Sequence, residues 1–435
     1  MRARAYHDEP CGAANAAASV ASSAGAGRGT VLTLVLLTLL PLAFGLLGVW
    51  LDPGAYQALF GGKIGGDFTN IWTAARLVLS GDISALFDLE AYRSEQIRLF
   101  GADFPMHNWS YPPHLLLLVW PLGGLPYGVA LAVWLAGTLT LYLAAARCWL
   151  GPGERLLGLL LVALAPASVL NVAVGQTGFL TGALLLQGLW WLDRRPLAAG
   201  LCFALLTVKP QLGLLIPIVV LAGGYWRVFF SALVGTLALA VLSLLVFGAE
   251  SWVAYLTETA ARQRWILENG EGIFTLMMPS AFMSARLAGL EAPLGYALQA
   301  LVTLGVGAGV FALWRRRERR MRACAAVMLG AVLASPYAFN YDMTVTSLAV
   351  LLVVLRLSVD SDTARLGRGL MFAVWLLPML VVFLNNAGVA LAPLVLAATL
   401  IWSYRHAPGV PPGETDDRQF AGLPALRQSP GPTGH

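Results

Sequence analysis

Apolar runs of about 20 residues, the length that crosses a hydrocarbon core of about 30 Å as a helix, recur along the chain from Val31 to Ser403. A soluble domain has no use for so many. Inside a bilayer the backbone must satisfy its own hydrogen bonds, which leaves helical bundles and closed barrels. A barrel needs strands of about ten residues that alternate apolar and polar, and the sequence has none. The expected fold is therefore all-α, a polytopic transmembrane helical bundle. The charge content agrees: 12% of residues are charged and 58% hydrophobic, where soluble domains carry about 25% charged residues.

The expected organisation is a tail at residues 1–30, one transmembrane domain at 31–404 and a second tail at 405–435. Both tails are polar or small-residue rich and read as disordered, the first as a cytoplasmic tail. The run 31–50 is too long for a signal peptide and lacks a small-residue cleavage pattern after it, so it reads as a retained first helix. Roughly 11 to 13 segments are expected to span. Prolines such as Pro112, Pro113, Pro121, Pro166, Pro210 and Pro336 break several candidates into shorter pieces. Arginines cluster beside apolar ends, as at Arg194-Arg195, Arg227 and Arg315-Arg316-Arg317. That is the positive-inside pattern, and with Arg2, Arg4 and Arg28 it puts the start of the chain inside. The stretches 51–110 and 248–272 then face outward as aqueous loops. The net charge of +5 belongs to this pattern and not to a nucleic-acid surface. The four cysteines, Cys11, Cys148, Cys202 and Cys324, are scattered, which predicts neither a disulfide nor a zinc site.

The first outward loop has helical periodicity. Phe68, Ile71, Trp72, Ala75 and Val78 share one side, and Asp67, Asn70, Thr73 and Arg76 the other. The spacing predicts an amphipathic helix lying at the membrane surface, and a second follows from Ile83 to Phe100. Asp67 at the head of the first helix has two readings: an N-cap for the backbone N–H groups, or a general base for a sugar hydroxyl. The readings are compatible, since a cap would aim the carboxylate.

Further polar residues sit where apolar sequence breaks. "HNWSYPPHLLLL" offers His107, Tyr111 and His114 as contacts for an acceptor or a phosphate. Gln176 lies between two apolar runs in "VGQTG", where it either packs helix to helix or lines a cavity. Lys209 is one of two lysines, the other being Lys63, and is set in apolar sequence before Pro210. An ionisable group at membrane depth is costly and is a functional candidate, here for a lipid-borne phosphate, or a lysine reaching toward the interface. Arg262 and Arg264 form an outward basic pair against the general charge rule, with Glu258 available to Arg262 as an ordinary partner. Tyr341 and Asp342 mark the break between two late helices, where Asp342 either pairs with an arginine or lines a cavity. No cofactor motif is present, and no ligand cluster supports a divalent metal.

The ordered series "DFTNIWTAARLVLSGD", "YPPHLLLLVWPL", "GQTGFLTGALLL", "VKPQLGLLIPIVVLAGGYWR" and "SPYAFNYDMTVTSLAVL" resembles glycosyltransferase family 87, with its GT-C membrane fold. The resemblance runs over residues 31 to 350. It implies an enzyme that takes a sugar from a polyprenyl-phosphate donor, similar to bacterial polyprenyl-phosphomannose-dependent mannosyltransferases. It also implies a lipid or glycan acceptor at the outer face of a bacterial inner membrane. The acidic residue of the first outward loop is the expected base and maps onto Asp67. Lys209, Arg262 and Arg264 become candidates for the donor phosphate. Asn70, Trp72, His107, Tyr111, His114, Gln176, Tyr341 and Asp342 become candidates for sugar or acceptor contacts. The implied reaction is a single inverting displacement needing no second carboxylate. A transporter or flippase for lipid-linked or anionic solutes is the alternative; it predicts internal repeats, which the sequence does not show.

Overall fold

A computed structural model of the chain describes residues 29–40, 42–43, 65–105, 107–316, 320–357 and 362–406. The greater part of each expected tail, the end of the first helix and the opening of the first outward loop lie outside the described residues, as does Lys63.

The described residues are helical, with no strand among them. In chain order the main helices begin with α1 Gly29–Leu40, α2 Phe68–Ser80, α3 Leu89–Phe100 and α4 Tyr127–Arg147. Next come α5 Arg155–Leu164, α6 Pro166–Val174, α7 Gly178–Trp191, α8 Pro196–Leu206, α9 Ile216–Gly223 and α10 Trp226–Phe247. The remainder are α11 Ala260–Asn269, α12 Ala292–Arg315, α13 Arg320–Leu333, α14 Thr344–Val354, α15 Asp362–Asn386 and α16 Ala392–His406.

Four of these, α4, α10, α12 and α15, are long and apolar enough to cross a bilayer unaided. The pair α5 and α6 makes a fifth if read as one span, bent by 51° where Pro166 follows Ala165. The other apolar segments are shorter. The apolar segment 111–124 holds a single α-turn, Leu116–Val119, between two 3₁₀ turns, because Pro112, Pro113 and Pro121 interrupt its ladder. The segment 273–289 divides into Ile273–Leu276 and Ala281–Leu287 on either side of Pro279. The second expected loop, 248–272, is largely helical, with a π-turn at Tyr255–Thr259 leading into α11.

Burial sorts the helices. Every residue of α14 is buried, and α13 is buried along most of its length; together they form the middle of the large apolar core. A helix apolar all round belongs in such a place. By contrast α10 buries only Val228, Gly235, Ser243 and Phe247, and turns the rest of its apolar surface outward, as a lipid-facing helix does.

The helix α2 departs from expectation. From Phe68 to Ala75 every residue is buried, Thr69, Asn70 and Thr73 included, so this half is wedged inside the protein and does not float on a surface. Gly123 is the reason it fits so closely: a Cβ there would lie 2.5 Å from the Ala75 carbonyl. The second expected piece, Ile83 to Phe100, is not one helix: a 3₁₀ turn at Ser84–Leu86 precedes α3, which buries Tyr92 and Gln96 and is capped by Asp88.

Candidate active site

Two glycine turns set the geometry. Gly65 and Gly175 both adopt positive φ, 73° and 72°, which only glycine takes cheaply. The turns press together: Gly65 N–H donates to Ala173 O at 3.1 Å and Asp67 N–H donates to Val174 O at 2.9 Å. This backbone contact brings Asp67 to Gln176. A third segment joins at Gly178, where a Cβ would lie 2.3 Å from the Tyr341 carbonyl oxygen, so the turn Asn340–Met343 closes against the start of α7. Thr344 Oγ1 donating to Gly178 O at 2.8 Å fastens it.

Asp67 does not cap α2 with its side chain. Its backbone is already helical, and the Phe68 and Thr69 N–H groups donate to the carbonyls of Gly65 and Gly66, so the first turn has no need of the carboxylate. The cap expectation is thereby corrected. The carboxylate turns instead toward a cavity, where Oδ2 accepts from Gln176 Nε2 at 3.0 Å and Oδ1 lies 3.4 Å from His107 Nε2.

That cavity has a volume of about 1310 Å³. Seven of the sequence candidates line it: Asp67, Asn70, His107, Tyr111, Gln176, Lys209 and Tyr341. Tyr111 donates through its hydroxyl to Gln176 Oε1 at 2.8 Å. Asn70 reaches the cavity with both amide ends engaged: Nδ2 donates to Asn108 O at 2.9 Å and Oδ1 accepts from the Tyr92 hydroxyl. Burial raises the Tyr92 phenol far above its ordinary value, so it stays a donor there.

Lys209 is 5% exposed and the sole lysine or arginine lining the cavity among the described residues. It is paired: Nζ donates to Asp342 Oδ1 at 2.8 Å and sits 4.8 Å from the centre of the Tyr341 ring. Asp342 is thus the lysine's counter-ion. It does not line the cavity, and among the described residues it pairs with no arginine; its second oxygen accepts from Phe339 N–H at 3.1 Å.

Five candidates stand outside the lining. Trp72 is buried between Phe100 and Tyr127 and donates through Nε1 to Leu125 O at 3.0 Å, a structural post. His114 contacts Thr207 Oγ1 and stacks on Trp252. Arg262 and Arg264 do not line the cavity, and Arg264 is bound to Glu268 at 2.8 Å; the expected pairing was Glu258 with Arg262. The Arg264 hydrogen bond also holds the Glu268 carboxyl below its ordinary value, with Tyr296 adding a second donor. Asp342 is the fifth. Between the two arginines Gln263 is the residue that faces inward, accepting from the Tyr337 hydroxyl. The π-turn residues Tyr255 and Thr259 also line the cavity, and nothing in the sequence signals a π-turn there. One wall is apolar, formed by Leu376, Met379, Leu380, Val382 and Phe383 of α15. No group of three His, Cys, Asp or Glu side chains poised to hold a metal occurs among the described residues.

A largely apolar cavity with an aimed carboxylate and a paired lysine, inside a helical membrane bundle, is the setting in which the comparison with known families decides. The model of glycosyltransferase family 87 matches residues 109–336, just over half of the chain. The chain belongs to glycosyltransferase family 87. It is a multi-pass membrane glycosyltransferase. The matched span of the transferase includes Tyr111, Gln176, Lys209 and Gln263, while Asp67 and Tyr341 lie on either side of it. No curated protein and no solved structure matches the chain.

Proposed function

We propose that this transferase moves a sugar from a polyprenyl-phosphate donor to a hydroxyl of an envelope lipid or glycan, by one inverting displacement with Asp67 as general base. One observation carries the reading. A carboxylate free of capping duty and the cavity's one lysine share a single chamber that is also lined by an apolar strip of α15.

Each part has a use in that reaction. The apolar strip suits an isoprenoid chain entering from the bilayer side. The acceptor hydroxyl gives its proton to Asp67 as its oxygen bonds to the anomeric carbon. The bond from that carbon to the phosphate oxygen breaks, and the phosphate leaves with the electron pair. A phosphodiester anion is a stable leaving group, so no strong acid is required. Lys209 faces the charge that develops on it, with Asp342 holding the ammonium in place. Arg262 and Arg264, outside the lining, have no part in this step. The active face would be the outer one of a bacterial inner membrane.

The test is transfer by the purified protein in lipid, supplied with radiolabelled polyprenyl-phosphate sugars and an envelope-lipid extract. Wild type transfers label from one of them, and Asp67→Asn loses activity by about 10²- to 10⁴-fold. Inversion is read from the anomeric configuration of the product. Wild-type rates in Asp67→Asn would remove the base from the mechanism.

A further inference from the structure

The oxygen and nitrogen of a side-chain amide are told apart only by partners whose roles are fixed. Gln176 has such a partner. The Thr177 backbone N–H can only donate, and it lies 3.1 Å from one end of the amide, which must be the oxygen. The Tyr111 hydroxyl donates to that same oxygen. The other end is therefore the NH₂ group, and it points at Asp67 Oδ2 at 3.0 Å. Turned over, the amide would set oxygen against carboxylate and NH₂ against N–H, so it has one setting. The turn beneath it is tied as well, with Gln176 N–H donating to Asn171 O at 3.2 Å and Gly178 N–H to Asn171 Oδ1 at 2.9 Å.

The other carboxylate oxygen is in a different position. His107 Nδ1 lies 3.0 Å from the Pro105 carbonyl, which only accepts, so in the neutral ring Nδ1 carries the hydrogen and Nε2 is bare. A bare nitrogen 3.4 Å from Oδ1 makes no hydrogen bond to it. Oδ1 keeps its lone pairs.

We propose that Gln176 is the positioning residue of the base: it engages Oδ2 of Asp67 and leaves Oδ1 as the oxygen that takes the acceptor's proton. This rests on the reading of Asp67 as base. Gln176 gives up no proton itself. Its N–H fixes the plane of the carboxylate relative to the cavity. The other ionisable groups facing Asp67 are His107, Tyr111, Lys209 with Asp342, Tyr337 and Tyr341, and the substitutions below leave all of them in place.

Two variants test it in the transfer assay, beside Asp67→Asn. Gln176→Glu is nearly isosteric and replaces the donor with a second carboxylate, so that the two share a proton. The acid limb of its kcat/KM profile is expected to move up by at least about 1 pH unit. Gln176→Met keeps the length and removes all three hydrogen bonds of the amide, to Asp67 and from Tyr111 and Thr177, and is expected to lose about 10²-fold in kcat with KM little changed. A side chain at 176 turned away from Asp67 would not move the acid limb, so the limb reads the contact and the kcat of Gln176→Met reads its use. Where Gln176→Met is poorly folded, as its melting temperature reports, the Gln176→Glu profile decides, since its limb is read within one variant. An acid limb in Gln176→Glu unchanged from wild type overturns the proposal, as does wild-type kcat in Gln176→Met. An inactive Asp67→Asn alongside those results leaves the base reading standing and removes Gln176 alone. A fully active Asp67→Asn removes the base reading itself.

Discussion

The Lys209–Asp342 pair joins two segments 133 residues apart, and removing one partner separates its structural role from its chemical one. The side chains are 6% and 0% exposed. At 2.8 Å and an effective dielectric of about 20 the attraction is about 6 kcal/mol. Desolvating the two ions costs several kcal/mol each, so the intact pair adds little net stability. Breaking it is another matter. Asp342→Asn strands the ammonium without a counter-ion, and the expected loss is about 3–5 kcal/mol. The double variant Lys209→Met/Asp342→Asn removes both charges and is expected to recover most of that loss. The assay is thermal melting in detergent followed by tryptophan fluorescence, with transfer activity measured on the same samples. Stability should return in the double variant and activity should not, because the proposed mechanism needs the Lys209 ammonium at the leaving group. A single variant Asp342→Asn that melts with wild type would mean the cavity solvates a free ammonium, and the argument from burial would fail. Activity restored together with stability would reduce Lys209 to a structural residue.

Gly175→Ala forces a Cβ onto a φ of 72° and within 2.6 Å of Phe68 Cβ, so it is expected to cost about 1–3 kcal/mol and to lower kcat by pushing Asp67 away from Gln176; melting and turnover check it. Trp72→Phe loses the bond to Leu125 O, with an expected stability cost of about 1 kcal/mol. Its KM for the donor should stay at the wild-type value, and a large rise would restore Trp72 to the sugar site. Arg264→Gln, at an exposed pair, is expected to leave activity and donor affinity unchanged. Because the pair lowers the Glu268 pKa, its contribution is present above the ordinary carboxylate range and is lost as pH falls through the lowered value; melting of wild type and Arg264→Gln should converge there.

Isolated charges in apolar sequence were readable from the chain alone, because each one is expensive and therefore conspicuous. Lys209 stood out on that ground and Asp67 by its place at the head of an amphipathic helix, and both line the cavity. Their partners were not readable. Gln176 is 109 residues from Asp67, and the choice between capping and facing the cavity depended on that distant amide and on backbone donors already satisfied. Local spacing did put Trp72 on the apolar side of α2 with Phe68 and Ile71, and it packs there; the sugar-site role came from proximity along the chain, which a helix does not respect. The same holds at 262–264, where the two arginines drew notice and the glutamine between them faces the cavity. The proline breaks were legible as breaks, but whether a broken segment bends, as at Pro166, or shortens to a single turn, as after Pro113, is decided by what packs against it.

The site is assembled from stretches near residues 67, 176, 209 and 341, and this imposes an order on synthesis. The carboxylate and its amide can meet once the chain has been made as far as Gly178. The ammonium of Lys209 is made long before its counter-ion, and a further 133 residues must follow before Asp342 arrives. Until then a bare positive charge resists entry into lipid, and the stretch around Pro210 has reason to wait at the interface. The turn Asn340–Met343 is therefore more than a support for the chamber: it brings the counter-ion that lets the charged end of the chamber settle away from water.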